Sequence, residues 1–342
     1  MAPTNTPVAR RVLSAAAAAA LGLSLTACSA LSTESSEPSG SDAPKDASGT
    51  LSVAVSFYPI QYLAETIGGD HVSVTSLTPT NVEPHDYDLS GKEVISTLEG
   101  SSLVAYVAGF QPSLDKAVAQ ISGPTVVDLS GEVDLQHHEG VEDEDEHGEA
   151  SDGTTEKATG EAGHEGHDHD AGSLDPHFWL DPVRMKSAAT AVEEALAAAD
   201  PDNADDYKAN LDSLTTTLDG LDSSYKGGLT RCERKTFITS HAAFGYLADR
   251  YGLTQVSISG IDPETEPSAA DIAAAKKAVE DTGSTTIFTE ELVSPETADA
   301  VAGETGATTD VLSPIESAPE DTDYAGAMSN NLDALRTALA CK

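Results

Sequence analysis

Histidine, of which the chain has ten, is the residue type that carries most of its candidate chemistry. Six lie in one acidic segment: His137, His138, His147, His164, His167 and His169. His71 follows a Gly-Gly-Asp turn and reads as a surface residue. The other three share a setting. His85 lies in Asn81-Val82-Glu83-Pro84-His85-Asp86-Tyr87-Asp88, and His177 in Asp175-Pro176-His177-Phe178-Trp179-Leu180-Asp181-Pro182. His241 lies in Thr239-Ser240-His241-Ala242-Ala243-Phe244-Gly245-Tyr246. Each falls at or near a strand-to-helix junction, and in open α/β sheets ligands bind at the carboxyl ends of strands. Three neutral imidazoles with one further N or O donor make a tetrahedral site for Zn²⁺. A single histidine is more often structural than a ligand, and these three are far apart in sequence. No CxxC pair, HExxH motif or nucleophile elbow is present.

The elements that position these residues alternate along the chain. Leu51–Ser56, Val72–Leu77, Leu103–Val107 and Thr125–Leu129 read as strands. Helical stretches fall between them at Pro59–Ile67, from Ser90 (with Glu93 as capping-box partner) and at Pro112–Ile121. The second half repeats the plan. Its strand candidates are Thr236–Thr239, Gln255–Ile258, Thr285–Thr289 and Thr308–Leu312. Helices are expected near Ala242, Ser268 (with Asp271 as its capping partner), Pro295 and Asp323. Strand–helix alternation implies parallel sheets. The fold class is therefore α/β, with two lobes, each a mainly parallel sheet flanked by helices. Between them Leu211, Leu214, Leu218 and Leu221 recur at helical spacing. At about 1.5 Å per residue, a helix over 203–226 runs roughly 35 Å and makes a stiff connection.

The predicted organisation is a signal peptide over 1–27, a tether over 28–49, and a first lobe over 50–185. A linker region with the long helix over 186–228 and a second lobe over 229–342 follow. Arg10 and Arg11 precede an apolar run, Val12 to Leu25, too short for a stable membrane span. The run ends in Leu25-Thr26-Ala27-Cys28, which resembles a bacterial lipobox whose cysteine is lipidated. The bland reading is an ordinary small-residue cleavage site with an incidental cysteine. Residues 29–49, rich in Ser, Glu, Pro, Asp and Gly, read as a flexible tether. The expectation is an extracytoplasmic protein anchored by lipid to the bacterial cell membrane. The remaining cysteines, Cys232 and Cys341, are expected to pair in an oxidising compartment.

Net charge is −40, from 58 acidic and 18 basic residues. This excludes nucleic-acid binding and a polybasic lipid-binding surface. Acidic surfaces usually serve solubility alone. The acidic segment is a different matter. Residues 132–170 hold fifteen Asp/Glu, one Lys and six His, with almost no strong apolar residues. A disordered loop is expected over 132–172. Its clusters, such as His164-Glu165-Gly166-His167-Asp168-His169, fit weak multi-site metal capture, against the plainer reading of a solvated linker.

The passages around His85, His177 and His241 resemble the metal-binding proteins of ABC importers, the zinc/manganese cluster of solute-binding proteins. Further matching segments are Ser56-Phe57-Tyr58-Pro59, Asp262-Pro263-Glu264-Thr265-Glu266-Pro267-Ser268, Phe288-Thr289-Glu290-Glu291 and Ser313-Pro314-Ile315-Glu316. The resemblance covers residues 50 to 342, in order. It implies two lobes joined by one long rigid helix with the metal in the cleft. His85 and His177 would come from the first lobe, His241 and a carboxylate, Glu316, from the second. Members of the family vary between Asp, Glu and water at that fourth position. Manganese-binding members carry a carboxylate where this chain has His241. An imidazole there softens the site toward zinc, and zinc-specific members often carry a histidine-rich loop. The implied function is binding of Zn²⁺ and its delivery to the membrane permease of an ABC transporter, by a monomer and without catalysis. The alternatives are a manganese-binding importer component, a surface protein for cell adhesion or zinc buffering, and a secreted zinc hydrolase with Glu83, Asp86 or Glu290 as base.

Overall fold

A computed structural model of the chain describes residues 49–138 and 174–342. Strands β1 (Leu51–Val55), β2 (Val72–Ser76), β3 (Leu103–Tyr106) and β4 (Thr125–Asp128) form one sheet in the order β2-β1-β3-β4. Every pairing is parallel. Helices α1 (Tyr58–Gly68), α2 (Lys92–Gly100), α3 (Pro112–Val118) and α4 (Pro182–Ala199) accompany it. In the second lobe β5 (Thr236–Thr239), β6 (Thr254–Ser257), β7 (Thr286–Thr289) and β8 (Thr308–Val311) repeat the same order, β6-β5-β7-β8. These pairings are parallel as well. Helices α6 (Gly245–Tyr251), α7 (Ala269–Thr282), α8 (Glu296–Thr305) and α9 (Tyr324–Ala338) belong to this lobe. Among the described residues no helix is long and apolar enough to cross a membrane.

The long helix α5 spans Ala204–Gly228 and buries Tyr207, Leu211, Leu214, Leu218, Leu221 and Tyr225. Each fully buried leucine contributes roughly 1.5–3 kcal/mol of transfer free energy, so this stripe fastens the helix along its length. Asn210 donates from its side-chain amide to the Ile67 carbonyl of α1 at 2.9 Å. At the other end the Tyr225 hydroxyl donates to the Met328 carbonyl of α9 at 2.7 Å. One apolar core runs from the first sheet through α4 and α5 into α6 and α9. The second sheet keeps a smaller core around Ile238, Ile258, Val279 and Ile287. Arg250 of α6 adds a forked ion pair to Asp181, which also caps α4. The lobes are therefore braced by apolar packing and by charge.

Several local expectations are corrected. Ser90 does not open a capping box. Its N–H is taken by Asp88, and α2 begins at Lys92 behind Gly91. The helix expected near Ala242 begins at Gly245, because residues 241–244 form the turn that buries His241. The chain expected to be disordered from 132 instead continues in the fold to 138. Val133 is 2% exposed, and the Gln136 N–H donates to the Tyr246 hydroxyl at 2.7 Å. His71 stays at the surface, where it meets Asp206 of α5 at 2.9 Å. Cys232 and Cys341 are joined in a disulfide across 109 residues of sequence. Cys28, His147, His164, His167 and His169 lie outside the described residues.

Candidate metal centre

Four loop segments, three of them following the carboxyl ends of strands, converge on one point. His85 comes from the loop after β2, His177 from the residue that opens the 3₁₀ turn Phe178–Leu180 ahead of α4, His241 from the turn after β5 and Glu316 from the loop after β8. One ligand atom from each lies within 4.8 Å of the others, and all four residues are buried. Glu316 Oε1 stands 3.2 Å from Nε2 of both His85 and His177, and 3.9 Å from Nε2 of His241. The Nε2 atoms of His85 and His177 are 3.3 Å apart, and those of His177 and His241 3.4 Å. Three ring nitrogens and a carboxylate oxygen facing one centre form a closed tetrahedral donor set for a borderline divalent cation.

Two of the rings are oriented from behind by carboxylates. Asp175 accepts at Oδ1 from the backbone N–H of His177 at 2.9 Å and from its Nδ1–H at 2.7 Å. Glu290 Oε2 lies 2.6 Å from Nδ1 of His241 in a close ionic contact, and its Oε1 accepts the His241 N–H at 3.2 Å. With Nδ1 committed to a carboxylate, Nε2 is the nitrogen left for a metal. His85 is held differently. Glu83 accepts its N–H at 2.9 Å, Phe110 meets its ring edge-on at 4.6 Å, and Gln111 fixes the preceding turn by donating to the Pro84 carbonyl at 2.9 Å. Glu290 and Glu83, weighed from sequence as catalytic bases, are thus neighbours of the ligand rings. Asp86 is exposed beside them.

The electrostatics follow from crowding. Burial alone would lower His177, but hydrogen bonds and charge from Asp175 and then Glu316 raise it to about 9. His241 is raised too, against its burial, by Glu290 and then Glu316. Burial would raise Glu316, yet the three imidazoles hold its carboxyl far below the ordinary range. Burial likewise opposes Asp175, whose hydrogen bonds from His138 and His177 hold it low. The cluster is built to carry positive charge at its centre.

Of the loop histidines, His137 is exposed. His138 stands apart, because both ring nitrogens are engaged. Nδ1 lies 2.7 Å from Asp175 Oδ2 and Nε2 3.0 Å from Asp249 Oδ2 of α6. Sequence reasoning missed this link and the partnership of Glu290 with His241. Asp175 gave a local signal, a short acid two residues before a histidine. Glu290 gave none, being brought to His241 only by the pairing of β5 with β7. Cavities abut several of the ligand residues, one of them, of about 290 Å³, lying against Ser240 and His241. A cavity of about 520 Å³ touches Glu290 and Glu316, and one of about 180 Å³ touches His85, Asp86 and Asp262.

Two parallel-sheet lobes, a long bracing helix and a buried three-histidine, one-carboxylate cluster between the lobes define a metal-binding solute-binding protein. Residues 53–338 match the family model of the zinc-uptake complex component A, periplasmic, and the chain belongs to that family. It is 34% identical over 332 residues to the high-affinity zinc uptake system protein ZnuA of Bacillus subtilis, covering 95% of this chain and 96% of that one. It is 33% identical over 300 residues to the zinc-binding lipoprotein AdcA of Streptococcus pneumoniae, covering 85% of this chain. There it spans 56% of the relative's length, little more than half. The crystal structure of the Zn(II)-bound ZnuA-like domain of that AdcA superposes with a TM-score of 0.67 at 28% identity, covering 85% of this chain and 99% of that one.

Proposed function

We propose that this protein captures zinc outside the cytoplasm and delivers it to the permease of an ABC transporter for uptake. The observation that carries the reading is the convergence of His85, His177, His241 and Glu316 within 4.8 Å in a buried cleft. An N₃O set of this kind favours zinc over manganese, which prefers oxygen donors. It also leaves no open coordination position for a hydrolytic water, so the role is binding and transfer rather than catalysis. Zinc is the cargo, and the four residues are its ligands. The names of the relatives, a zinc uptake protein and a zinc-binding lipoprotein, support the reading.

The finer assignments belong to the same proposal. Residues 50–185 and 229–342 act as two lobes, with 186–228 between them. Cys28 carries the lipid that holds a monomeric protein at the membrane, the apolar run before it and the lipoprotein relative supporting this. The acidic histidine-rich segment collects zinc weakly and in several places. Metal analysis of the purified, tag-free protein, with and without His241→Ala, tests the central assignment. One zinc per chain, lost in the variant, is expected. Manganese bound in preference to zinc would overturn it. A deletion strain that takes up zinc normally under chelation would favour adhesion or buffering over import.

A further inference from the structure

Trp179 is the chain's single tryptophan, and it is fully buried. It stands in the short 3₁₀ turn Phe178–Leu180, two residues after His177. Its ring touches the site from below. The centroid lies 5.1 Å from that of His177 and 5.6 Å from that of Phe110, the ring that meets His85 edge-on. Its indole Nε1–H crosses between the lobes and donates to the Pro314 carbonyl at 2.7 Å. Pro314 is two residues before Glu316. The Trp179 carbonyl in turn accepts from the hydroxyl of Tyr324 at the start of α9.

The segment that the indole grips is strained. Ile315 has φ of +57°, and its side chain is 1% exposed. A β-branched residue in the left-handed region is a true outlier, held there only by what surrounds it. The restraints are visible. Asn331 of α9 accepts the Ser313 N–H at 2.9 Å and donates to the Ser313 carbonyl at 2.7 Å. Ser313 Oγ accepts the Ile315 N–H at 3.2 Å. These contacts come from the second lobe itself. The Trp179 bond ties the backbone of the strained segment to the lobe carrying His85 and His177, and just beyond it the Asn81 N–H donates to Ser317 Oγ at 2.7 Å. Without the Trp179 bond, the Pro314 carbonyl loses its hold from the first lobe, and any rotation at Ile315 toward an ordinary backbone region re-aims the next side chain, Glu316.

We propose that Trp179 is a positioning residue whose indole N–H latches the 313–316 segment across the cleft and so keeps the Glu316 carboxylate on the metal. With the latch closed, three imidazoles and the carboxylate enclose the ion. When it opens, Ile315 relaxes, Glu316 withdraws, and a three-imidazole site with an open position remains. Release of zinc begins there. The inference rests on the assignment of these four residues as the zinc ligands.

The test is zinc release from the full chain to a chromogenic chelator, followed by stopped flow in a double-mutant cycle of Trp179→Phe and Glu316→Ala. Losing one buried hydrogen bond predicts release about tenfold faster in Trp179→Phe. In the Glu316→Ala background the same substitution should change the rate by no more than about twofold, because the group it acts through is gone. Equal acceleration in both backgrounds would mean that the ring only packs, and would overturn the latch. Wild-type protein gives a second measurement that needs no folded variant. Its one indole N–H resonance should exchange slowly with solvent when zinc is bound and faster when zinc is removed. Fast exchange in the zinc-loaded protein overturns the proposal. Zinc bound normally by the wild type and lost in His241→Ala, with an unchanged release rate in Trp179→Phe, defeats the latch alone. No zinc binding by the wild type defeats the site assignment and the latch together.

Discussion

One oxygen of Asp175 fixes His177 twice, accepting its backbone N–H at 2.9 Å and its ring Nδ1–H at 2.7 Å. The other oxygen lies 2.7 Å from Nδ1 of His138. Asp175 therefore sets both the tautomer and the angle of a ligand ring. Asp175→Asn removes the charge and lets an amide N–H compete for the ring. Loss of such a partner typically weakens metal binding about 10- to 100-fold, and that is expected here. Competition titration against a chelator of known affinity measures it. An unchanged affinity would show that the ring is held by packing alone.

Proton linkage gives a second expectation. In protein stripped of metal, His177 is raised from 6.5 to about 9 despite its burial, through Asp175 and then Glu316. The stability it contributes is fully present below pH 6.5 and is lost as pH rises through about 9. Glu316 runs the other way. Its depressed carboxyl contributes stability above its ordinary value of 4.5 that is lost as pH falls well below it. Zinc requires neutral imidazole, so binding near neutral pH must expel a proton from the cluster. Affinity should then climb by at least about tenfold per pH unit, His241 being raised as well, and the part owed to His177 should level off above about pH 9. Calorimetry in buffers of different ionisation heat counts the proton. Buffer-independent heats near neutrality would contradict the linkage.

Much of this was legible in the chain, for identifiable reasons. Both sheets are parallel, so each strand is followed by a helix, and β1, β3 and β5 are dense in apolar or β-branched residues. The α5 leucine stripe is periodic because one face of that helix is buried. The three histidines lie in recognisable junction motifs, and Glu316 in a matching one. What could not be read came from pairs remote in sequence. Glu290 reaches His241 because β7 lies beside β5. His138 looks like one more histidine of an acidic loop until Asp175 and Asp249 are seen on either side of it. Ser90 misled because Ser-x-x-Glu fits a capping box equally well when an Asp two residues earlier has already taken the serine N–H.

The disulfide and the metal centre should prove separable. Cys232 and Cys341 join the chain entering β5 to the residues just after α9, at the opposite end of β5 from His241. Backbone bonds already accompany the bridge, with Arg234 N–H donating to the Leu339 carbonyl at 3.1 Å and Lys342 N–H to the Arg231 carbonyl at 2.9 Å. Replacing both cysteines with serine should cost about 2–4 kcal/mol of stability, mainly by freeing the unfolded chain. Zinc affinity should stay within about twofold, as expected for distant independent sites. Denaturant melts and a zinc titration of the same sample decide it. A large loss of affinity would show that the tail positions the second lobe's ligands.

The histidine-rich segment can be removed without opening the fold, because its two ends are already tied together. The Asp175 N–H donates to the Gln136 carbonyl at 2.8 Å. The Tyr246 hydroxyl joins both strands of chain, accepting the Gln136 N–H and donating to the Asp175 carbonyl, each at 2.7 Å. Excising residues 139–173 behind a short glycine linker keeps His138 on Asp175 and Asp249, and so keeps the support of His177. The shortened protein should bind one zinc with wild-type affinity. Its total stoichiometry should fall, because His147, His164, His167 and His169 are gone. Equilibrium dialysis at saturating zinc, with metal analysis of both proteins, reads the difference directly. Equal stoichiometry would defeat weak capture by the segment and leave it as a solvated linker. A weakened tight site would mean that the excised residues, rather than His138 and Asp175, support the centre.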